Sequence, residues 1–461
     1  MTRRILLVGA FLAGMPDEGR AQPAWTPTRC AADTLAIARG PVATTTTVDT
    51  VAPGITYRCR IDARGPWVLH VVQVDLGTRG LALDAERALG IFRGRETVSA
   101  AARRLEARGE SPLVGINADF FDLATGEVEN NTIVRGEWVK GTLRTDSPHD
   151  EFDNPHAQFA VDAAGRATIG RFTLAGVVRS GARSRPLVGL NYRPSTTAGL
   201  VFYTPWFGAR TPGDTSANVG ERPRDPDAVL PGERERPPTR SVPELRADSA
   251  RRLVAQAIRE AVEVPLTLIG RRGDTLRYRI ASRAGPAVGG ATPIPAGGAV
   301  LSATGEEAIA FLREAAARRE VVKVAHRLDG GPLHPRTALG GWPRVVLHGE
   351  NIAARADSIE GTFPRFSAAR HPRSALGLGA DGRTLWLVVV DGRRPWSVGM
   401  SLVELGDAMR ELGATEAMNL DGGGSSTLWV RGVVVNVPSD PTGERPVGDA
   451  LFVRRVVTRP R

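Results

Sequence analysis

The chain has 461 residues, of which 42% are hydrophobic, 24% charged and 5% aromatic, and its net charge is +10. That is apolar material enough for one large domain or two ordinary ones, and too much for a mostly disordered chain; Gly 52 and Pro 33 make it loop-rich without collagen-like or low-complexity character. Only Lys140 and Lys323 are lysines, so 58 of the 60 basic residues are arginine, and no run of five or more like charges forms a tail. A skew of that kind reflects GC-rich coding more than a phosphate-binding surface, and no nucleic-acid partner is expected.

In chain order, Met1-Thr-Arg-Arg is followed by the apolar stretch Ile5–Met15 and small residues up to Ala21, the parts of a secretory signal over residues 1–21. The stretch is too short to span a bilayer, and no later segment approaches the ~20 apolar residues a spanning helix needs. Cys30 and Cys59 are the only cysteines, within a leader at 22–64. In an oxidising compartment they could close one disulfide; two free buried thiols are the alternative. Trp67–Asp75 reads as the first strand, 97–108 as a helix, and Leu113–Ile116 as a short buried strand that delivers Asn117–Asp122 at its end. Strand-like pieces follow at 132–134, 157–161 and 200–204.

Residues 210–246 hold seven prolines, seven arginines and seven acidic residues with hardly any large apolar side chains, and they read as a loop or insertion. Helices are expected near 248–262 and 306–318, and strands near 266–269, 276–280, 321–324 and 344–347. The apolar run Thr384–Val390 predicts a central strand covered on both faces. Ser401-Leu-Val-Glu404 is a capping box opening a helix that Gly413 stops. Strands at 417–420, 427–430, 433–437 and 450–457 complete the chain. Strands dominate, so the expected fold class is α+β, a large mixed or antiparallel sheet core with interspersed helices in a single catalytic domain.

Three polar clusters sit immediately after apolar strands: Asn117–Asp122, Asp391–Arg394 and Asp421–Ser426. Strand ends followed by Gly-rich turns are where a rigid sheet presents functional groups. In Asp421-Gly-Gly-Gly-Ser-Ser the glycines let the backbone approach a ligand, so its N–H groups could face an anion. The same segment could equally be a hairpin turn whose aspartate accepts its own backbone N–H groups. Arg373 and Arg445 offer the planar fork that suits phosphate oxygens. The seven histidines show no metal spacing, and neither a metal site nor a cofactor is expected.

Asn419–Thr427, read Asn-Leu-Asp-Gly-Gly-Gly-Ser-Ser-Thr, resembles the hallmark of the phosphodiester glycosidase family. Asn117-Ala-Asp-Phe-Phe resembles the family's Asn-Ala/Gly-Gly-Phe-Phe, with Glu127 and Asn131 matching the Glu and Asn just after it. Arg373-Ser-Ala-Leu-Gly resembles its Arg-Thr-Ala-hydrophobic-Gly, Asp391-Gly392 its strand-terminal Asp-Gly, and 401–413 its Ser/Asn-Leu helix. Pro438–Val447 resembles its closing Arg-containing segment. Order and spacing agree over roughly 110–455. Asp119 stands where glycine is usual, and Ser374 where threonine is.

The resemblance implies hydrolysis of a sugar-1-phosphodiester in a domain at 65–458, interrupted at 210–246. It implies Asp421 and Asp391 as the carboxylates at the anomeric centre. Arg373, Arg445 and the Gly422, Gly423, Gly424 and Ser425 turn would bind phosphate, and Asn117, Glu127, Asn131 and Ser426 would position substrate, the first three either through its sugar hydroxyls or by positioning the turns themselves. An exported glycosidase acting on cell-envelope or exopolysaccharide glycans is the expected function, with a carbohydrate or phospho-sugar as partner. Its rivals are a non-catalytic glycan-binding protein with the same cleft and a glycosidase for ordinary glycosidic bonds.

Overall fold

The computed structural model describes residues 25–27, 44–145, 147, 150–195, 197–213, 242–281 and 285–456. The signal-like stretch, Cys30 and nearly all of the proline-rich segment lie outside the described residues.

Thr384–Val390 is a central strand, and its alternation explains why every residue after Thr384 is apolar. Leu385, Leu387 and Val389 enter one buried cluster, whereas Trp386, Val388 and Val390 enter another on the opposite face. The strand lies in an antiparallel sheet of eight, in the order 45–52, 55–62, 67–75, 384–390, 373–379, 414–419, 344–347 and 350–351. The helix Leu402–Glu411 covers one face with Leu402, Leu405 and Met409. Its capping box forms as the sequence predicts: the Glu404 amide donates to the Ser401 hydroxyl at 3.2 Å, and the Ser401 amide to the Glu404 carboxylate at 2.9 Å.

The other face packs on an antiparallel sheet of five, in the order 433–434, 428–430, 111–117, 449–455 and 81–87. Within Asp449–Arg455, Leu451 and Val453 face the eight-stranded sheet, and Ala450 and Phe452 meet the helix Val98–Ala107. The result is a four-layer stack of helix, sheet, sheet, helix.

A third sheet of thirteen strands contains a barrel. Seven strands, at 173–180, 322–329, 275–280, 262–272, 298–303, 200–203 and 183–190, close through pairing of the first with the last. Only 183–190 against 200–203 is parallel among the described pairings. The helix Glu306–Ala317 contributes Phe311 and Leu312 to the barrel's cluster.

The chain is therefore predominantly β rather than evenly α+β, and its sheets are almost wholly antiparallel. Two expectations shift. Residues 45–62, read as part of a leader, form a hairpin on the edge of the eight-stranded sheet. Their threonine-rich outer strand alternates exposed and half-buried positions, a weak apolar signal. The helix read at 248–262 runs from Val242 to Glu260, and Val262 already belongs to the next strand.

Candidate functional site

Three neighbouring strands of the eight-stranded sheet deliver Arg373, Asp391 and Asp421 to one edge. Arg373 begins its strand opposite Val390, so Asp391 follows directly beside it. On the other side Ala375 faces Asn419, and the Leu420 amide donates to the Ser374 carbonyl at 2.8 Å. Asp421 emerges just beyond.

The five-stranded sheet supplies Asn117, which is fully buried and ties the site together. Its side-chain amide donates to the Asp421 carbonyl at 2.6 Å, and its oxygen accepts from the Ser374 hydroxyl at 2.7 Å and the Thr427 amide at 3.0 Å. Ser374 thus uses the hydroxyl it keeps in place of the family's threonine. Asn117 positions the turn rather than a ligand.

The glycine-rich turn differs from the anion cradle that its composition suggests. The Gly422 amide donates to the Asp421 carboxylate at 2.9 Å, that of Gly423 to the Pro372 carbonyl at 2.9 Å, and that of Ser425 to the Gly422 carbonyl at 3.1 Å. These N–H groups are consumed by the turn itself, the alternative that the sequence left open. The glycines are needed for space. A Cβ on Gly422 would lie 2.9 Å from the Pro372 carbonyl, Gly423 has φ +59°, and a Cβ on Gly424 would lie 2.3 Å from the Arg445 guanidinium. Arg445 therefore lies against the turn, held from behind by Asp440 at 2.8 Å. The Ser425, Ser426 and Thr427 hydroxyls are buried without hydrogen-bond partners among the described residues.

Arg373 is 1% exposed. Its guanidinium donates to the carbonyls of Met400, Phe366 and Ala369 at 2.9, 2.8 and 3.1 Å, and lies over the Phe366 ring at 4.9 Å. It has no carboxylate partner among the described residues, and burial together with the charge of Arg393 brings it down to about 9. At neutral pH it is a buried, uncompensated cation. Half-buried Phe120 and Phe366, whose ring centroids are 6.2 Å apart, add an aromatic wall beside it.

Asp391 sits deeper than its motif implies, at 1% exposure. One oxygen accepts from the Val437 amide at 2.9 Å, and the other meets His70 Nε2 at 3.2 Å. His70 Nδ1 in turn faces the Tyr57 hydroxyl at 2.8 Å. Both oxygens are occupied, and Asp391 is more deeply buried than Asp421, which is half-buried.

Glu127 and Asn131 are not joined to this group by any described hydrogen bond. Glu127 pairs with Arg93 and Lys140. Asn131 is fully buried, donating to Gln158 and to the Phe172 carbonyl and accepting from the Thr142 amide. Both brace loops. Cys59 is disulfide-bonded, and the chain's other cysteine, Cys30, lies outside the described residues. Sequence reasoning missed Arg393, His70, Tyr57 and Phe366. The positive φ of Arg393, 59°, and its 3.4 Å approach to His371 are visible only in three dimensions. No group of three or more His, Cys, Asp or Glu side chains arranged for a metal occurs among the described residues.

The chain carries the phosphodiester glycosidase signature over residues 280–454. Two curated relatives align over short stretches. The SPbeta prophage-derived uncharacterized protein YomE of Bacillus subtilis (strain 168) is 40% identical over 84 residues, 18% of this chain and 13% of that protein. The Mus musculus N-acetylglucosamine-1-phosphodiester alpha-N-acetylglucosaminidase is 34% identical over 93 residues, 20% of this chain and 18% of that protein. The chain thus spans under a fifth of either relative's length. The fold extends further. A hypothetical protein from Synechocystis matches with TM-score 0.64 and 20% identity over 90% of this chain and 64% of its own. A Burkholderia pseudomallei protein assigned as exported matches with TM-score 0.60 and 22% identity over 89% and 96%.

Behind the turn lies Asp119, the residue that replaces the family's glycine. Its carboxylate accepts from the Asn130 amide at 2.9 Å and side chain at 2.8 Å, and its own amide donates to Asp449 at 2.9 Å. Burial pushes both carboxyls up, Asp119 well above the usual range and Asp449 to about 6. A carboxyl whose folded value is raised contributes stability that is full below its unfolded value, near 4, and lost as pH rises through 6. Asp449→Asn should therefore narrow the Tm difference between pH 4.5 and 7.5 by about 3 °C. Thermal melts across that range check this, and an unaltered slope would assign the protons elsewhere.

Proposed function

We propose that this protein is an exported hydrolase that splits sugar-1-phosphodiesters at the anomeric C–O bond, releasing the sugar and leaving a phosphomonoester. One arrangement supports the reading above all: Arg373, a buried cation without a carboxylate partner among the described residues, stands beside the half-buried Asp421 and an aromatic wall. Arg373, Arg393 and Arg445 attract the phosphate and stabilise the charge it gains on leaving. Asp421 faces the anomeric carbon and offsets its oxocarbenium character. Water supplies the hydroxyl to C1, the bridging oxygen departs with the phosphate, and one proton is released. Asp391 acts indirectly: it fixes the Asp391-Gly392 bend, where Gly392 packs on Pro372 next to Arg373.

The catalytic unit is a single domain over about 65–458, to which the 45–62 hairpin is added, with residues 1–21 as its export signal. The bonded Cys59 suits an oxidising compartment, and no helix among the described residues is long and apolar enough to cross a membrane. The substrate class is a cell-envelope or exopolysaccharide phospho-glycan.

The test is a phenyl ester of a sugar 1-phosphate in ¹⁸O-water. Phenyl phosphate with the label in the sugar is the expected product. Phenol with a sugar 1-phosphate would mean cleavage at phosphorus, and no turnover would favour a glycan-binding role. A second expectation concerns Gly424→Ala. The new methyl group meets only the end of a long side chain, so the Tm should stay within about 2 °C, while displacement of Arg445 raises KM about tenfold. An unchanged KM in steady-state assays would remove Arg445 from phosphate binding.

A further inference from the structure

A cavity of about 520 Å³ opens elsewhere in the molecule, at one mouth of the seven-stranded barrel. Its floor is built where the strands 183–190 and 200–203 end and where the 262–272 and 275–280 strands turn, with Phe202, Leu276 and Tyr278 pointing into it. The hairpin joining 132–134 to 137–142 extends past that mouth and brings Trp138. Pro335 and Arg336, at the start of the 335–340 strand, complete the wall. Gly340, at the far end of that strand, abuts Asp119 and Asn130 behind the catalytic turn. Five residue steps of ~3.3 Å separate the two places by about 17 Å, so the cavity is not the site described above.

Its lining has a definite chemistry. Trp138 and Trp206 are both half-buried aromatic surfaces, and the Trp206 indole N–H is fixed on Glu137 at 2.9 Å. Four arginines (135, 271, 327 and 336) and two carboxylates (Glu137 and Asp274) line it. Arg135 and Arg336 are anchored on the buried Glu86 and Asp84. Arg271 donates to the Gly273 carbonyl at 2.7 Å and pairs with exposed Asp274, and Arg327 pairs with exposed Asp329; such exposed ion pairs contribute little and exchange readily for a ligand's anion. His326, edge-on to Trp138 at 5.1 Å, has a buried Nδ1 with no hydrogen-bond partner among the described residues. Burial and Arg271 bring this imidazole down to about 4, so at neutral pH it is uncharged and suited to a hydroxyl.

We propose that this barrel mouth is a second, non-catalytic binding site for an anionic saccharide. The sugar ring stacks on the tryptophans, its hydroxyls satisfy His326, and its carboxylate or phosphate is taken by Arg271 and Arg327. The volume lies within the usual range for small-ligand sites, and barrel mouths are common places for them. The inference does not depend on the reaction assigned to Asp421.

Calorimetric titration of the full chain with trigalacturonate tests it, with maltotriose and inorganic phosphate as comparison ligands. Trigalacturonate should bind at least about tenfold more tightly than either. The paired substitution Arg271→Gln and Arg327→Gln, both exposed and tolerant positions, should weaken it about tenfold, and Trp206→Ala likewise. Turnover of the sugar-1-phosphodiester should stay unchanged in these variants, with circular dichroism confirming the fold. Absence of binding, or binding indifferent to the variants, overturns the proposal. Maltotriose binding as tightly would remove the anionic requirement, and phosphate binding as tightly would leave a simple anion site instead.

Discussion

Asp421→Asn is expected to lower kcat on a sugar-1-phosphodiester at least about 10³-fold while the protein folds and melts as before. The substitution is nearly isosteric. Asparagine keeps the oxygen that accepts the Gly422 amide, and the bond from Asn117 goes to the backbone carbonyl of residue 421. On the proposed mechanism, what is lost is the negative charge that offsets the positive charge developing at the anomeric carbon. Steady-state assays beside a thermal melt decide the matter. A folded variant within tenfold of the parent would show that another group carries the reaction.

Arg373→Met should be costly in two ways. Its guanidinium serves three carbonyls, one in a buried bond and two in part-buried bonds, and losing them should destabilise the fold by about 2–4 kcal/mol, read as a lower urea midpoint. It should also reduce kcat/KM at least about 10²-fold below the melting transition. Arg373→Lys separates the roles: one ammonium keeps the charge but cannot span the three acceptors, so part of the affinity returns and little of the stability. A Met variant that is destabilised yet fully active would make Arg373 purely architectural.

Much of this site was legible because its parts obey local rules. Thr384–Val390 announces burial on both faces, and Ser401 with Glu404 announces a helix start, so the polar residues just past such elements stand out. Their convergence follows from strand pairing, which a periodic pattern does not encode. The glycines of 422–424 were legible as a sharp bend but not as clearance for Arg445 and Pro372, because the residues that fill the space lie elsewhere in the chain. Asp391 reads as a surface turn residue, and only His70 and Val437, brought in from two other segments, show that both its oxygens are occupied. The barrel was obscured for a different reason. In Arg183–Leu190 and Thr275–Ile280 the outward positions carry arginine and serine, so the apolar signal is halved.

The Asn117 bond to residue 421 spans 304 positions of the chain, and it sets a limit on dissection. The segment from 280 onward carries the diagnostic motif but neither Asn117 nor the 67–75 strand that flanks Thr384–Val390. Excised, it would expose a fully apolar strand as a sticky margin, prone to self-association, and would leave its acid without a bracket. Shuffling that piece alone between homologues would transplant the label and not the machine.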